Sequence, residues 1–150
     1  ARFFGKEVLR EVDEQAFYAK LAEVRKETGD RAVLRAIHFF NENKRVQLQA
    51  RALKNDNFAA FLNYVNESGN ASWELLQNIT PLGATAHQEM ALTLALCRKL
   101  LGGEAAVRVH GGGFAGTVLA FVPSGKFAQF RADVASVLGD DCCHELRITG

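Results

Sequence analysis

The chain has no apolar run long enough to cross a membrane, and it shows no internal repeat, low-complexity stretch or linker. Its 150 residues therefore read as one domain, residues 1–150, and the 48% hydrophobic content marks it as globular rather than disordered. It also lacks an excess of either charge. Lys and Arg number 18 against 17 Asp and Glu, interspersed to leave +1, so neither nucleic acid nor an anionic membrane is expected as a partner. Cysteine is scarce: there are three, with Cys142 and Cys143 adjacent. That count builds no disulfide framework and has no metal-ligand spacing with the four histidines, which fits a reducing, cytoplasmic setting without a metal site. No signal peptide is in view, so Asn66-Glu67-Ser68, Asn70-Ala71-Ser72 and Asn78-Ile79-Thr80 read as chance matches to the glycosylation pattern. The opening Ala1-Arg2-Phe3-Phe4-Gly5 has no initiator methionine, and the chain reads as a piece of a longer protein.

What is present is mostly helical periodicity. Glu7 to Val12 reads as a short strand. Asp13 then caps a helix over Glu14 to Thr28, with Phe17, Leu21 and Val24 on one face and Gly29 closing it. Asp30 caps a longer helix, Arg31 to Lys54, whose first half carries the stripe Val33, Ile37, Phe40. Within it Arg35, His38, Glu42 and Arg45 line one side at spacings of three and four, a row read as structural support rather than as a metal site. After the polar break Asn55-Asp56-Asn57, Phe58, Phe61, Leu62 and Val65 mark a shorter helix ending near Glu67-Ser68-Gly69-Asn70. Ser72 caps another short helix through Ile79. Thr85 with Gln88 forms a capping box for Ala86 to Leu101, with Met90, Leu94, Cys97 and Leu101 as its core stripe. Lys126 to Leu138 is a last helix, closed by Gly139, and Cys142 to Ile148 a last strand.

The chain is organised around Val107 to Val122. Val107 to His110 and Thr117 to Val122 are β-branched and apolar enough for strands, and the turn between them is almost bare of side chains. Three successive glycines suit close backbone approach or positive φ, and their N–H groups can form an anion-binding concavity. Phe114 in the loop is expected to anchor it in the core. Arg108 and His110, two residues apart, should face one side; His110 is the candidate for ligand contact and Arg108 for support. The pattern of helices, hairpin, helix and strand points to α+β: an antiparallel sheet with helices packed on one face.

Residues 107–117, V-R-V-H-G-G-G-F-A-G-T, resemble the third motif of galactokinases and of the wider GHMP kinases, G-A-R-M-T-G-G-G-F-G-G-C. Residues 35–46, R-A-I-H-F-F-N-E-N-K-R-V, resemble the galactokinase helix R-A-x-H-x-x-x-E-N-x-R-V, and Leu9-Arg10-Glu11-Val12-Asp13 the stretch upstream. Ala115, His110 and Thr117 depart from the motif's Gly, Thr and Cys. The serine-histidine pair after the short helix is replaced by Glu67-Ser68-Gly69-Asn70, which makes the likeness one to a galactokinase-like sugar kinase. The resemblance implies a GHMP C-terminal domain, a ferredoxin-like core with extra helices. It implies ATP and Mg2+ as cofactors of the full-length protein, bound by an N-terminal domain absent here, and none bound by this domain alone. It implies no catalytic residue in this chain, a loop of His110, Gly111, Gly112, Gly113 and Phe114 beside sugar and terminal phosphate, and structural roles for Arg108, Gly116, Arg35, His38, Glu42 and Arg45. The implied partners are that N-terminal domain and a sugar, with self-association of the piece alone possible through the face left open. Three other readings stand beside it: a non-catalytic sugar-sensing or regulatory galactokinase homologue, another GHMP small-molecule kinase, and an unrelated α+β ligand-binding or oligomerisation module.

Overall fold

Asp13 starts the first helix as its sequence position demands, its carboxylate accepting the Ala16 N–H at 2.8 Å. In the computed structural model, which describes residues 1–114 and 116–146, the expected helix from 14 to 28 is two. These are α1 (Glu14–Ala19) and α2 (Leu21–Thr28), broken where the Lys20 N–H turns to the Ala16 and Tyr18 carbonyls. Upstream, Leu9–Glu11 is a turn of 3-10 helix and not a strand, closed by Val12 N–H donating to the Leu9 carbonyl. Helix α3 (Asp30–Lys54) runs for 25 residues. Its N-cap is Gly29 rather than Asp30, because the Asp30 carboxylate turns outward to the Arg25 guanidinium. Val12, Phe17, Val24, Val33, Ala36 and Phe40 close over one another as an N-terminal core.

Helix α4 (Phe58–Ala71), capped by Asn57, departs most from expectation. It ends one residue past the expected Glu67-Ser68-Gly69-Asn70 but leads without a break into a π-helical turn, Ser72–Leu76, so Ser72 is an interior residue and not a cap. Tertiary packing overrides the local signals here. Ser68 and Gly69 are buried, and a Cβ on Gly69 would lie 2.7 Å from Arg108 Cβ and 3.2 Å from its Cα. In an open helix Gly→Ala gains up to about 1 kcal/mol; here the contact decides the sign. Gly69→Ala is expected to lower stability by about 1–2 kcal/mol, read from urea denaturation midpoints.

Helix α5 (Glu89–Leu101) begins three residues late. The Gln88 side chain donates to the carbonyls of Ala84 and Thr85 instead of completing a capping box. Its stripe is as expected, with Met90, Leu94, Cys97 and Leu101 all buried. Strands β1 (Ala106–Val109) and β2 (Val118–Phe121) pair antiparallel, Val107 opposite Ala120 and Val109 opposite Val118. Helix α6 (Phe127–Leu138) follows, ended by Gly139 at φ 101. The expected strand from 142 to 148 is not seen over residues 142–146, which are irregular; Arg147 and Ile148 lie outside the described residues.

The hairpin has helices on both faces, not one. Val107, Val109, Val118 and Ala120 join Leu94, Cys97, Phe130 and Val134 of α5 and α6 in the main core. The alternate positions face α4: Arg108 meets Gly69, and Phe121 stacks edge-on against Phe61 with ring centroids 5.6 Å apart. The result is a mixed α+β fold in which a two-stranded ribbon, among the described residues, is sandwiched between helices. No helix among them is long and apolar enough to cross a membrane.

Candidate functional site

Helix α4 and the π turn after it fasten the hairpin at three heights. At the base, the Asn66 carboxamide takes the place of a third strand: Oδ1 accepts from Val107 N and Nδ2 donates to the Ala105 carbonyl, each at 2.9 Å. Two residues on, Arg108 Nη1 donates to the fully buried Ser68 hydroxyl at 2.6 Å. Ser68 in turn donates to Glu42 on α3, and Arg45 Nη1 donates to the same carboxylate. Arg108 lies 3.9 Å from Glu42 and Arg45 lies 3.7 Å from Glu67. At the tip, Asn78 Nδ2 donates to the Gly112 carbonyl at 3.2 Å, and the Asn78 carbonyl accepts from Phe114 N at 2.9 Å. Ser72 Oγ, itself buried, is within hydrogen-bond distance of both ends of the Asn78 carboxamide.

The helical row of the sequence is thus partly assembled. Glu42 and Arg45 anchor the network, whereas Arg35 is exposed and makes no hydrogen bond or ion pair among the described residues. His38 stands over the same cluster with Nδ1 buried and unpaired. Burial pushes the imidazole below its ordinary 6.5; Glu42 opposes the shift, Arg45 adds to it, the Ala71 carbonyl opposes it and Arg108 adds to it. An unfolded chain then binds more protons than the folded one just below pH 6.5, so stability falls as pH drops through that value toward the lower folded-state pKa. Melting temperature is expected to decline from pH 7.5 to 5.5, and His38→Gln to flatten that decline. An unchanged pH slope in the variant would remove His38 from the account.

Gly111, Gly113 and Gly116 take positive φ, at 68, 74 and 80°. Only Gly113 is buried, and there a Cβ would lie 2.2 Å from the Asn78 carbonyl oxygen. The close approach expected of the triplet is therefore to the protein's own backbone, at its third glycine. Gly111 and Gly112 have nothing within 4 Å of a Cβ position, and both are exposed, as is His110. The Phe114 side chain does not anchor the loop in the core: its own φ is 49° and it is 48% exposed. The tip is fixed from below and bare above. Two surface grooves, about 450 and 270 Å³, are lined by other residues. Among the described residues no group of three or more His, Cys, Asp or Glu is placed to hold a metal.

Sequence reasoning missed Asn66 and Asn78, which appeared only within glycosylation patterns. Both are hydrogen-bonded inside the fold, whereas Asn70 is exposed and accepts from Arg98 at the surface. Their partners lie 39, 34 and 28 positions away, and no local signal marks them.

No known family's profile matches the chain. It is similar to galactokinases: 30% identical over 135 residues to that of Actinobacillus pleuropneumoniae serotype 5b, 30% to that of Mannheimia succiniciproducens and 27% to that of Haemophilus influenzae. Each match covers 90% of this chain and 33% of the relative. The chain thus spans about a third of the length of the curated relatives it matches.

Proposed function

We propose that this chain is the C-terminal domain of a galactokinase-like sugar kinase of the GHMP superfamily, with its glycine hairpin forming one wall of the active cleft. One observation carries the reading beyond sequence likeness. The hairpin tip is hydrogen-bonded from beneath by Asn78, while Gly111 and Gly112 are exposed with nothing within 4 Å of a Cβ position, beside the exposed His110. Phosphoryl transfer depends on positioning and charge stabilisation, so such a wall contributes without a catalytic base of its own. Backbone N–H groups at the tip stand beside the terminal phosphate, and His110 contacts the ligand. ATP, Mg2+ and the residue activating the sugar hydroxyl belong to an N-terminal domain. That domain covers this chain's open apolar positions, among which Val46, Leu53 and Phe58 are each about half exposed; left uncovered, they favour self-association.

The test compares ATP-dependent phosphorylation of galactose by the protein that carries this chain with that by residues 1–150 alone. Turnover by the former and none by the latter is expected. Turnover by residues 1–150 alone would contradict the assignment. Galactose binding without turnover by the whole protein would favour the sugar-sensor reading instead.

A further inference from the structure

We propose that Asn78 is the positioning residue of the hairpin tip, its buried carboxamide fixing the backbone from Gly111 to Phe114 in the geometry presented to the ligand. The inference rests on the kinase reading only for its effect on turnover. Three adjacent glycines are a poor way to hold a loop still, since each has more backbone freedom to lose than any other residue and no side chain with which to pack. Something outside the loop must supply the order. Among the described residues, Asn78 is the only hydrogen-bond partner of Gly111 to Phe114 outside the hairpin. It acts through three features at once: the side-chain donor to Gly112, the backbone acceptor for Phe114 N, and the close contact that only a glycine at 113 permits.

The chemistry selects asparagine. Asn78 is 4% exposed, and its carboxamide must donate to a backbone carbonyl while its other end engages the Ser72 hydroxyl. An amide supplies a donor and an acceptor on one planar group. Aspartate has almost the same shape but no N–H, and it would set a buried negative charge against the Gly112 carbonyl oxygen. The chain around Asn78 is itself specialised for delivering it. The π turn Ser72–Leu76 ends at Gln77, which takes the left-handed conformation at φ 53°, and Asn78 follows at once. Such π turns recur at functional sites. The hold is one-sided, because it grips the lower face of a tip whose upper face is open.

The experiment uses the protein that carries this chain, with Asn78→Asp and the milder Ser72→Ala, which loosens the carboxamide without touching its bond to Gly112. In Asn78→Asp, amide exchange at Phe114 is expected to quicken about tenfold, the worth of one hydrogen bond, while Val107 and Val109 keep their protection. Turnover per folded molecule should fall on the order of 10- to 100-fold with KM for the sugar held within about twofold, and Ser72→Ala should move both readings the same way by less. Unchanged exchange at Phe114 in a folded Asn78→Asp protein overturns the proposal, as does turnover that falls only with the folded fraction. Should Asn78→Asp fail to fold, Ser72→Ala alone decides by the same two readings. If the unmodified protein phosphorylates no sugar, the kinase reading fails, and the exchange measurement still judges Asn78.

Discussion

Gly113→Val is expected to lower stability by about 3 kcal/mol, combining left-handed backbone strain with a steric clash. At φ 74° a β-branched residue is badly accommodated. Its Cβ would also stand 2.2 Å from the Asn78 carbonyl oxygen and 2.7 Å from Asn78 Cγ. That neighbour is backbone and a buried amide, not the free end of a flexible side chain, so relief requires the tip to lift off and break the bonds from Asn78 to Gly112 and Phe114. Urea denaturation of the variant checks the figure. A loss below about 1 kcal/mol, the size of one ordinary hydrogen bond, would mean that the tip is not held where the structure places it.

Glu42→Ala is expected to cost about 2–4 kcal/mol, because it strips a partly buried carboxylate from two guanidiniums and a buried hydroxyl. Arg45, Arg108 and Glu42 have side chains only 14, 25 and 22% exposed, and Ser68 is fully buried. Arg45 keeps a longer contact to Glu67 at 3.7 Å, which limits the loss. The pair between Lys44 of the same helix, 63% exposed, and Glu14 of α1, 2.7 Å apart, is the natural contrast. An ion pair of that kind is worth at most about 1 kcal/mol and is screened by salt. Denaturation of Glu42→Ala and Glu14→Ala side by side, at low and high salt, separates the two. Equal, small and salt-sensitive losses would reduce the Glu42 network to surface decoration.

Much of this fold is legible where the cause is local. The spacing of Met90, Leu94, Cys97 and Leu101 gives both the helix and its buried face; Asp13 starts its helix through its side chain, and Gly29 and Gly139 end theirs through positive φ. Legibility ends where the cause is distant. Ser68 and Gly69 look like a helix terminus until Arg108 is laid across them, and nothing local announces that the Asn66 carboxamide bonds Ala105 and Val107. The candidate site divides the same way. Glycines 111–113 announce an unusual loop, but which of them is buried and which are open depends on Asn78, and Phe114 points outward for the same reason. A one-letter sequence also cannot show that Arg35 stands apart from Glu42 and Arg45 although its helical spacing fits theirs.

The claim that the open face of the tip serves phosphoryl transfer is tested most directly by Gly112→Val in the protein that carries this chain, with thermal melts and steady-state rates taken on one preparation. Gly112 is outside the positive-φ glycines and has nothing within 4 Å of its Cβ position, so stability should change by no more than about 0.5 kcal/mol. On the proposed function the valine side chain nevertheless stands where ligand approaches backbone, and turnover is expected to fall on the order of 100-fold. Normal turnover per folded molecule would contradict the account and leave the hairpin a plain turn.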